Sequence, residues 1–281
     1  MQVSRLQHVS LTTGDVERLA LFYQRSFGFR RLHSTRHSGV AFERLMGVAG
    51  GAESVLLGLG HESIELLQFD TPGRPYPQRS SAADLVFQHF AIVVADMQRA
   101  LAQLATIGGW TAISTHGAQR LPASSGDVTA FKFRDPDGHP LELLAFPAGA
   151  SAWRAIDEQT CLGIDHSAIC VADTARSTSF YQTLGLRVAA RSLNAGIEQQ
   201  RLDGVPEPYV EVTALEPQQT TPHLELLCYR GVRHAEKPAL CSNDLAATRL
   251  VLQIEALPAE RQSAAFARRL LDPDGHQLVL A

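Results

Sequence analysis

Residues 6–30, "LQHVSLTTGDVERLALFYQRSFGFR", return in outline at 163–187 as "GIDHSAICVADTARSTSFYQTLGLR". In both stretches a histidine is followed seven residues later by an aspartate, His8 by Asp15 and His166 by Asp173. Phe-Tyr then stands at the same offset, at 22–23 and 180–181. A third copy, "FQHFAIVVADMQRALAQLATIGG", keeps the same interval between His89 and Asp96. The three histidines lie 81 and 77 residues apart, a period too long for a solenoid repeat. Around His8 the residues alternate, with Val9 and Leu11 opposite His8 and Ser10, which predicts a strand with one buried face. Asp15 is placed to cap a helix whose Val16, Leu19, Tyr23 and Phe27 form one stripe, and Gly28 ends it.

Each unit continues into apolar segments that read as strands. In the first they are expected near 39–47, 52–59 and 61–69. In the second they are expected near 111–117, 127–134 and 139–146. The third places them at 188–191 or 195–202, then at 208–215 and 221–229. The module is therefore βαβββ. The fourth copy is shortened, with a strand near 249–255, a helix near 259–268, a strand near 276–280 and the middle strands missing or vestigial. From opening residue to closing acid position the interval is 57, 53 and 59 residues in three copies but 30 in the last. Residues 147–163 carry no pattern. The expected fold class is α+β: four tandem βαβββ modules, the fourth truncated, paired in chain order into two cupped mixed-sheet domains, 1–148 and 162–281.

Bulk properties narrow the function. The 281 residues are 45% hydrophobic and 19% charged with net charge -4, so no basic stripe invites nucleic acid. No apolar run approaches a membrane span, and the N-terminus lacks the apolar core of a secretory signal. Cys161, Cys170, Cys228 and Cys241 show no paired spacing and read as reduced thiols. The expectation is a cytoplasmic protein with a small-molecule substrate, partnering neither nucleic acid nor membrane, for which a homodimer is an open assembly.

Two positions in each module can carry chemistry. In order they are His8 and Glu65, His89 and Glu142, His166 and Glu225, then Arg249 and Val279. "SIELLQF", "PLELLAF" and "HLELLCY" set the three acids identically within apolar strands. A carboxylate there is costly to bury unless it is paired or bound to a metal. A single strand histidine is commonly structural and a single strand glutamate commonly solvated, but four such residues in register argue for a shared site. His8, Glu65, His89 and Glu142 supply two imidazoles and two carboxylates, a set suited to one divalent transition metal such as Zn, Ni, Fe, Mn or Co. The second half lacks a complete set, since arginine and valine are not ligands. His166, Tyr209, Glu225 and Arg249 are expected there as a metal-free pocket. The repeated DPDG reads as a turn.

The histidine strand, the "DVERLALFY" helix, the "FRDPDGHPLEL" ending and the paired modules resemble the vicinal oxygen chelate superfamily, which groups glyoxalase, bleomycin-resistance and extradiol dioxygenase (VOC-domain) proteins. That resemblance implies one divalent metal held by the first and last strands of two modules, here His8, Glu65, His89 and Glu142. The full set is similar to that of glyoxalase I, which implies a lyase or isomerase working through an enediolate-type intermediate, with Glu142 or Glu65 moving the proton. The resemblance leaves two other activities open. One is an extradiol-type ring-cleaving dioxygenase. The other is a non-catalytic small-molecule binder of the bleomycin-resistance type.

Overall fold

Asp15, Asp96 and Asp173 each accept a bond from the backbone N–H three residues on, at Arg18, Arg99 and Arg176, and so start three helices where the sequence places them. In the computed structural model, which describes residues 2–149, 153, 159–232, 239–255 and 267–281, these helices follow the opening strands of three modules. The first module runs β1 (Val3–Thr12), α1 (Val16–Phe27), β2 (Arg30–His37), α2 (Val40–Met46), β3 (Ala52–Leu59) and β4 (Glu62–Phe69). The second runs β5 (Gln88–Val94), α3 (Met97–Ile107), β6 (Thr111–Ala112), β7 (Gln119–Arg120), β8 (Thr129–Arg134) and β9 (Pro140–Ala145). The third runs β10 (Cys161–Cys170), α4 (Thr174–Thr183), β11 (Arg187–Ala195), α5 (Ile197–Asp203), β12 (Tyr209–Glu216) and β13 (His223–Tyr229). The fourth keeps β14 (Arg249–Ile254), β15 (Arg268–Leu271) and β16 (Gln277–Leu280).

Several short segments differ from expectation: β2 (Arg30–His37) is a strand where none was expected, and the strand expected at 111–117 is limited to β6 (Thr111–Ala112). The strand expected at 39–47 is helix α2, and its counterpart after β11 is helix α5. Gly39 and Gly47, both at positive φ, bracket α2. Phe42, Leu45 and Met46 then share one side of a two-turn helix and meet Leu67 and Phe69. The helix expected at 259–268 falls, up to 266, outside the described residues, and β15 supplies one middle strand beside β16.

The strands form two mixed sheets, ordered β15-β16-β14-β1-β4-β3-β2 and β11-β12-β13-β10-β5-β9-β8-β6. The expected cupped shape is corrected: each order runs from one free edge to another, and neither sheet is closed or strongly curled. The order also joins modules differently from the chain-order expectation. Module one shares a sheet with module four through antiparallel β1 and β14, and module two with module three through antiparallel β5 and β10. The expected segments 1–148 and 162–281 therefore each contribute strands to both sheets.

Modules one and two, and modules three and four, meet instead through a helix and a turn. Asp135 of the DPDG turn accepts the backbone N–H groups of Asp137 and His139 and the Tyr23 hydroxyl at 2.9 Å, while Asp137 pairs with Arg18. Asp272, Asp274, Tyr181 and Arg176 repeat this clasp between modules four and three. The helices and the inner faces of both sheets share one core, which includes Val9, Tyr23, Phe90, Leu141, Tyr181, Leu224 and Leu250. Strand alternation sends the intervening residues, among them His8, His89, Glu142 and Glu225, to the other face of each sheet. Among the described residues no helix is long and apolar enough to cross a membrane.

Candidate metal centre

On the second sheet, β5 and β10 run antiparallel, with His89 across from Ala168 and His166 across from Ala91. Parallel pairing then sets Glu142 beside Ala91 and Glu225 beside Ala168. Two histidines and two glutamates thus surround a pair of alanines, whose methyl groups leave room above the sheet. His89 Nε2 lies 3.1 Å from Glu142 Oε2, and His166 Nε2 lies 3.5 Å from Glu142 Oε2 and 3.6 Å from Glu225 Oε2. The four residues line a cleft of about 460 Å³ together with Leu121, Phe146, Leu202 and Tyr229.

The residues fit a divalent cation. Ligand atoms of His89, Glu142 and His166 lie within 4.8 Å of one another, and all three residues are buried. His166 Nε2 is buried and makes no close hydrogen bond, with the Glu142 and Glu225 carboxylates 3.5 and 3.6 Å away, so imidazole and carboxylates face one small space of a size for a cation. The opposite nitrogen of that ring bonds Asp165 Oδ2 at 2.9 Å, which fixes the ring with Nε2 toward the cleft. The chain therefore carries a cluster of two histidines and one glutamate of the kind that holds divalent transition metals, with Glu225 beside it.

Charge within the cluster is uneven. Burial works against ionised Glu142, but Lys132, His166 and His89 outweigh it and hold the carboxyl well below its usual range. Burial likewise opposes charge on His166, yet Glu225, Asp165 and Glu142 hold that imidazole well above its ordinary value. His89 is pushed down by burial, which Glu142 offsets only in part. Glu225 is resisted by burial and pulled down by His166 and His223. Of the two acids Glu225 is the more accessible, with 22% of its side chain exposed against 8% for Glu142.

The expected quartet His8, Glu65, His89 and Glu142 is divided between the sheets. His8 and Glu65 lie on the first sheet, with His8 Nε2 3.9 Å from Glu65 Oε2, and Glu65 is therefore remote from the cluster that Glu142 serves. The expected metal-free pocket is divided too. His166 and Glu225 stand beside His89 and Glu142, Arg249 belongs to the first sheet, and Tyr209 is 49% exposed and does not line the cleft. Sequence reading passed over Lys132, Asp203 and His223. Lys132 Nζ bonds Asp203 Oδ1 at 2.7 Å, Tyr229 donates to Asp203 Oδ2 at 2.8 Å, and His223 Nε2 lies 3.6 Å from Glu225 Oε1. The available signal for Lys132 was a lone cation between Phe131 and Phe133 in a buried strand.

Among solved structures the chain is similar to glyoxalase I from Zea mays, at 20% identity and TM-score 0.59 over 98% of this chain and 91% of that one. A glyoxalase I mutant from the same plant matches at 19% identity and TM-score 0.60, over 98% and 92%. At these identities the likeness is one of fold. No curated relative matches. The family model described as the Glyoxalase/Bleomycin resistance protein/Dioxygenase superfamily matches residues 5–143 and 163–280, and to that superfamily the chain belongs.

Proposed function

We propose that the chain is a metal-dependent lyase or isomerase of the glyoxalase type, acting on a small oxygenated substrate at one divalent centre held by His89, Glu142, His166 and Glu225. The observation that carries this reading is the buried cluster of His89, Glu142 and His166, whose ligand atoms all lie within 4.8 Å of one another. A divalent metal bound there would serve as a Lewis acid, stabilising negative charge on substrate oxygens. The chain's own groups supply the rest. Glu225 is the acid open to the cleft, so it is the group to take a proton from a substrate carbon and return it to the adjacent one. Asp165 orients His166 through Nδ1, and Leu121, Phe146 and Leu202 exclude water from the reacting carbons.

Two histidines with one carboxylate are also the ligand type of non-haem iron oxygenases. Glu225, on the same face and 3.6 Å from His166 Nε2, favours the four-ligand reading over ring-cleaving oxygenation. The deciding experiment loads the protein with Ni, Zn, Co, Mn or Fe and measures bound metal by elemental analysis. Isomerisation of the hemithioacetal of methylglyoxal and glutathione is then assayed, with oxygen uptake on catechols in parallel. One metal per chain with isomerase activity, reduced by Glu225→Gln about 10²–10⁴-fold, is expected. Absence of metal uptake, or oxygen consumption in place of isomerisation, would sink the reading.

A further inference from the structure

The metal cleft has two unlike sides. Along β9 and just past its end, Glu142, Leu144 and Phe146 follow one another on the cleft face, with Leu144 about 7 Å beyond the acid. Ala91, which pairs with both Glu142 and His166, belongs to the same apolar cluster as Leu121, Leu144 and Leu202, and Phe146 packs against it. An apolar wall therefore begins at the ligands themselves. The facing side, supplied by module three, carries Asp165, Glu216, His223 and Glu225.

Charge on this lining is one-sided. Among the described residues no arginine lines the cleft, and its one lysine, Lys132, is 4% exposed with its ammonium bound to Asp203. A carboxylate entering the cleft away from the metal would find no free cation and would meet Glu216 and Asp165. Stripping its hydration without a partner is costly. An apolar ring has the opposite balance. Phe146 is only half-buried, so its ring offers surface to cover, and covering it together with Leu144 is favourable.

We propose, on the reading that a divalent metal binds at this cluster, that the substrate is uncharged beyond its metal-binding oxygens and carries an apolar group of about phenyl size packed on Leu144 and Phe146. The hemithioacetal of methylglyoxal and glutathione, with the carboxylates of its tripeptide, is then a slow substrate beside one formed from an uncharged aromatic thiol.

The probes are hydroxamic acids, which hold a divalent metal through two oxygens, titrated calorimetrically into the metal-loaded protein. Benzohydroxamic acid should bind at least about tenfold more tightly than acetohydroxamic acid, because its ring buries apolar surface. Its 3-carboxy and 4-carboxy derivatives should each bind at least about tenfold more weakly than the parent. Phe146→Ala, at a half-buried position, should leave the thermal melt cooperative, reduce the advantage of the ring about threefold or more, and leave acetohydroxamic acid unchanged. Equal affinity for the ring and methyl forms, carboxylates bound as tightly as the parent, or a ring advantage untouched by Phe146→Ala would each overturn the substrate class while the metal centre stands. Failure of benzohydroxamic and acetohydroxamic acid alike to bind would remove the metal reading, and the substrate class with it.

Discussion

Lys132 and Asp203 form a buried pair whose side chains are 4% and 0% exposed. The lysine ammonium faces Glu142 as well, and it is one of the charges keeping that acid ionised. Removing one member of such a pair leaves the other buried without compensation, a loss of about 3–5 kcal/mol. Lys132→Met is therefore expected to lower unfolding free energy by about that amount in urea titrations, and Lys132→Met with Asp203→Leu to recover a large part of it. Asp165 acts one layer out from the cluster, on the ring orientation of His166. Asp165→Asn should weaken metal binding about 10–100-fold in a competition titration with a chromophoric chelator, without changing the fold. Unchanged affinity would remove Asp165 from the site.

At the scale of elements, the DPDG turns do more than reverse the chain. His139 Nδ1 faces Asp135 Oδ2 at 2.8 Å, while Nε2 faces the carbonyls of Thr12 and Leu245 at 2.9 and 3.0 Å. Burial disfavours the imidazolium, but Asp135 and the surrounding oxygens win and raise its pKa above 6.5. A raised folded-state pKa means that the folded protein holds this proton more tightly. The contribution is complete below pH 6.5 and disappears as pH climbs through the folded value. The stability gap between wild type and His139→Gln should accordingly be widest in mild acid and narrow toward alkaline pH; a gap independent of pH would show His139 to be neutral. Tyr23→Phe, which removes only the hydroxyl donor to buried Asp135, should cost about 1–3 kcal/mol in denaturant titrations. The opening strands, capped helices and turns were legible because alternation, Asp caps and Gly ends are local signals. Helices α2 and α5 were not, since a seven-residue segment is too short for its apolar residues to separate one period from the other. The ligand types were legible for the same reason as the strands: one glutamate in an apolar strand, recurring in register, marks a face.

Which modules share a sheet is a property of the whole molecule, and here local pattern is silent. β1, β5, β10 and β14 are all apolar-rich strands that open a module, so any pair could zip along its open edges with equal local logic. The choice depends on contacts far apart in sequence: the turn of module two holds the helix of module one, and β1 then meets β14 across some 240 residues. That ambiguity carried two of the four expected ligands to the wrong partner. It also yields a test of the architecture. Residues 1–148 made alone would leave the pairing edges of β1 and β5 without β14 and β10, two exposed edges next to an incomplete core. Such a fragment should aggregate or populate a loosely packed state, and so should 162–281. Co-expressed, the two should assemble into one complex that binds a single metal, because each fragment supplies one histidine and one glutamate to the same cleft. Size-exclusion chromatography with elemental analysis reads both quantities. A stable, monomeric 1–148 that binds metal by itself would instead restore the pairing of consecutive modules and the quartet of His8, Glu65, His89 and Glu142.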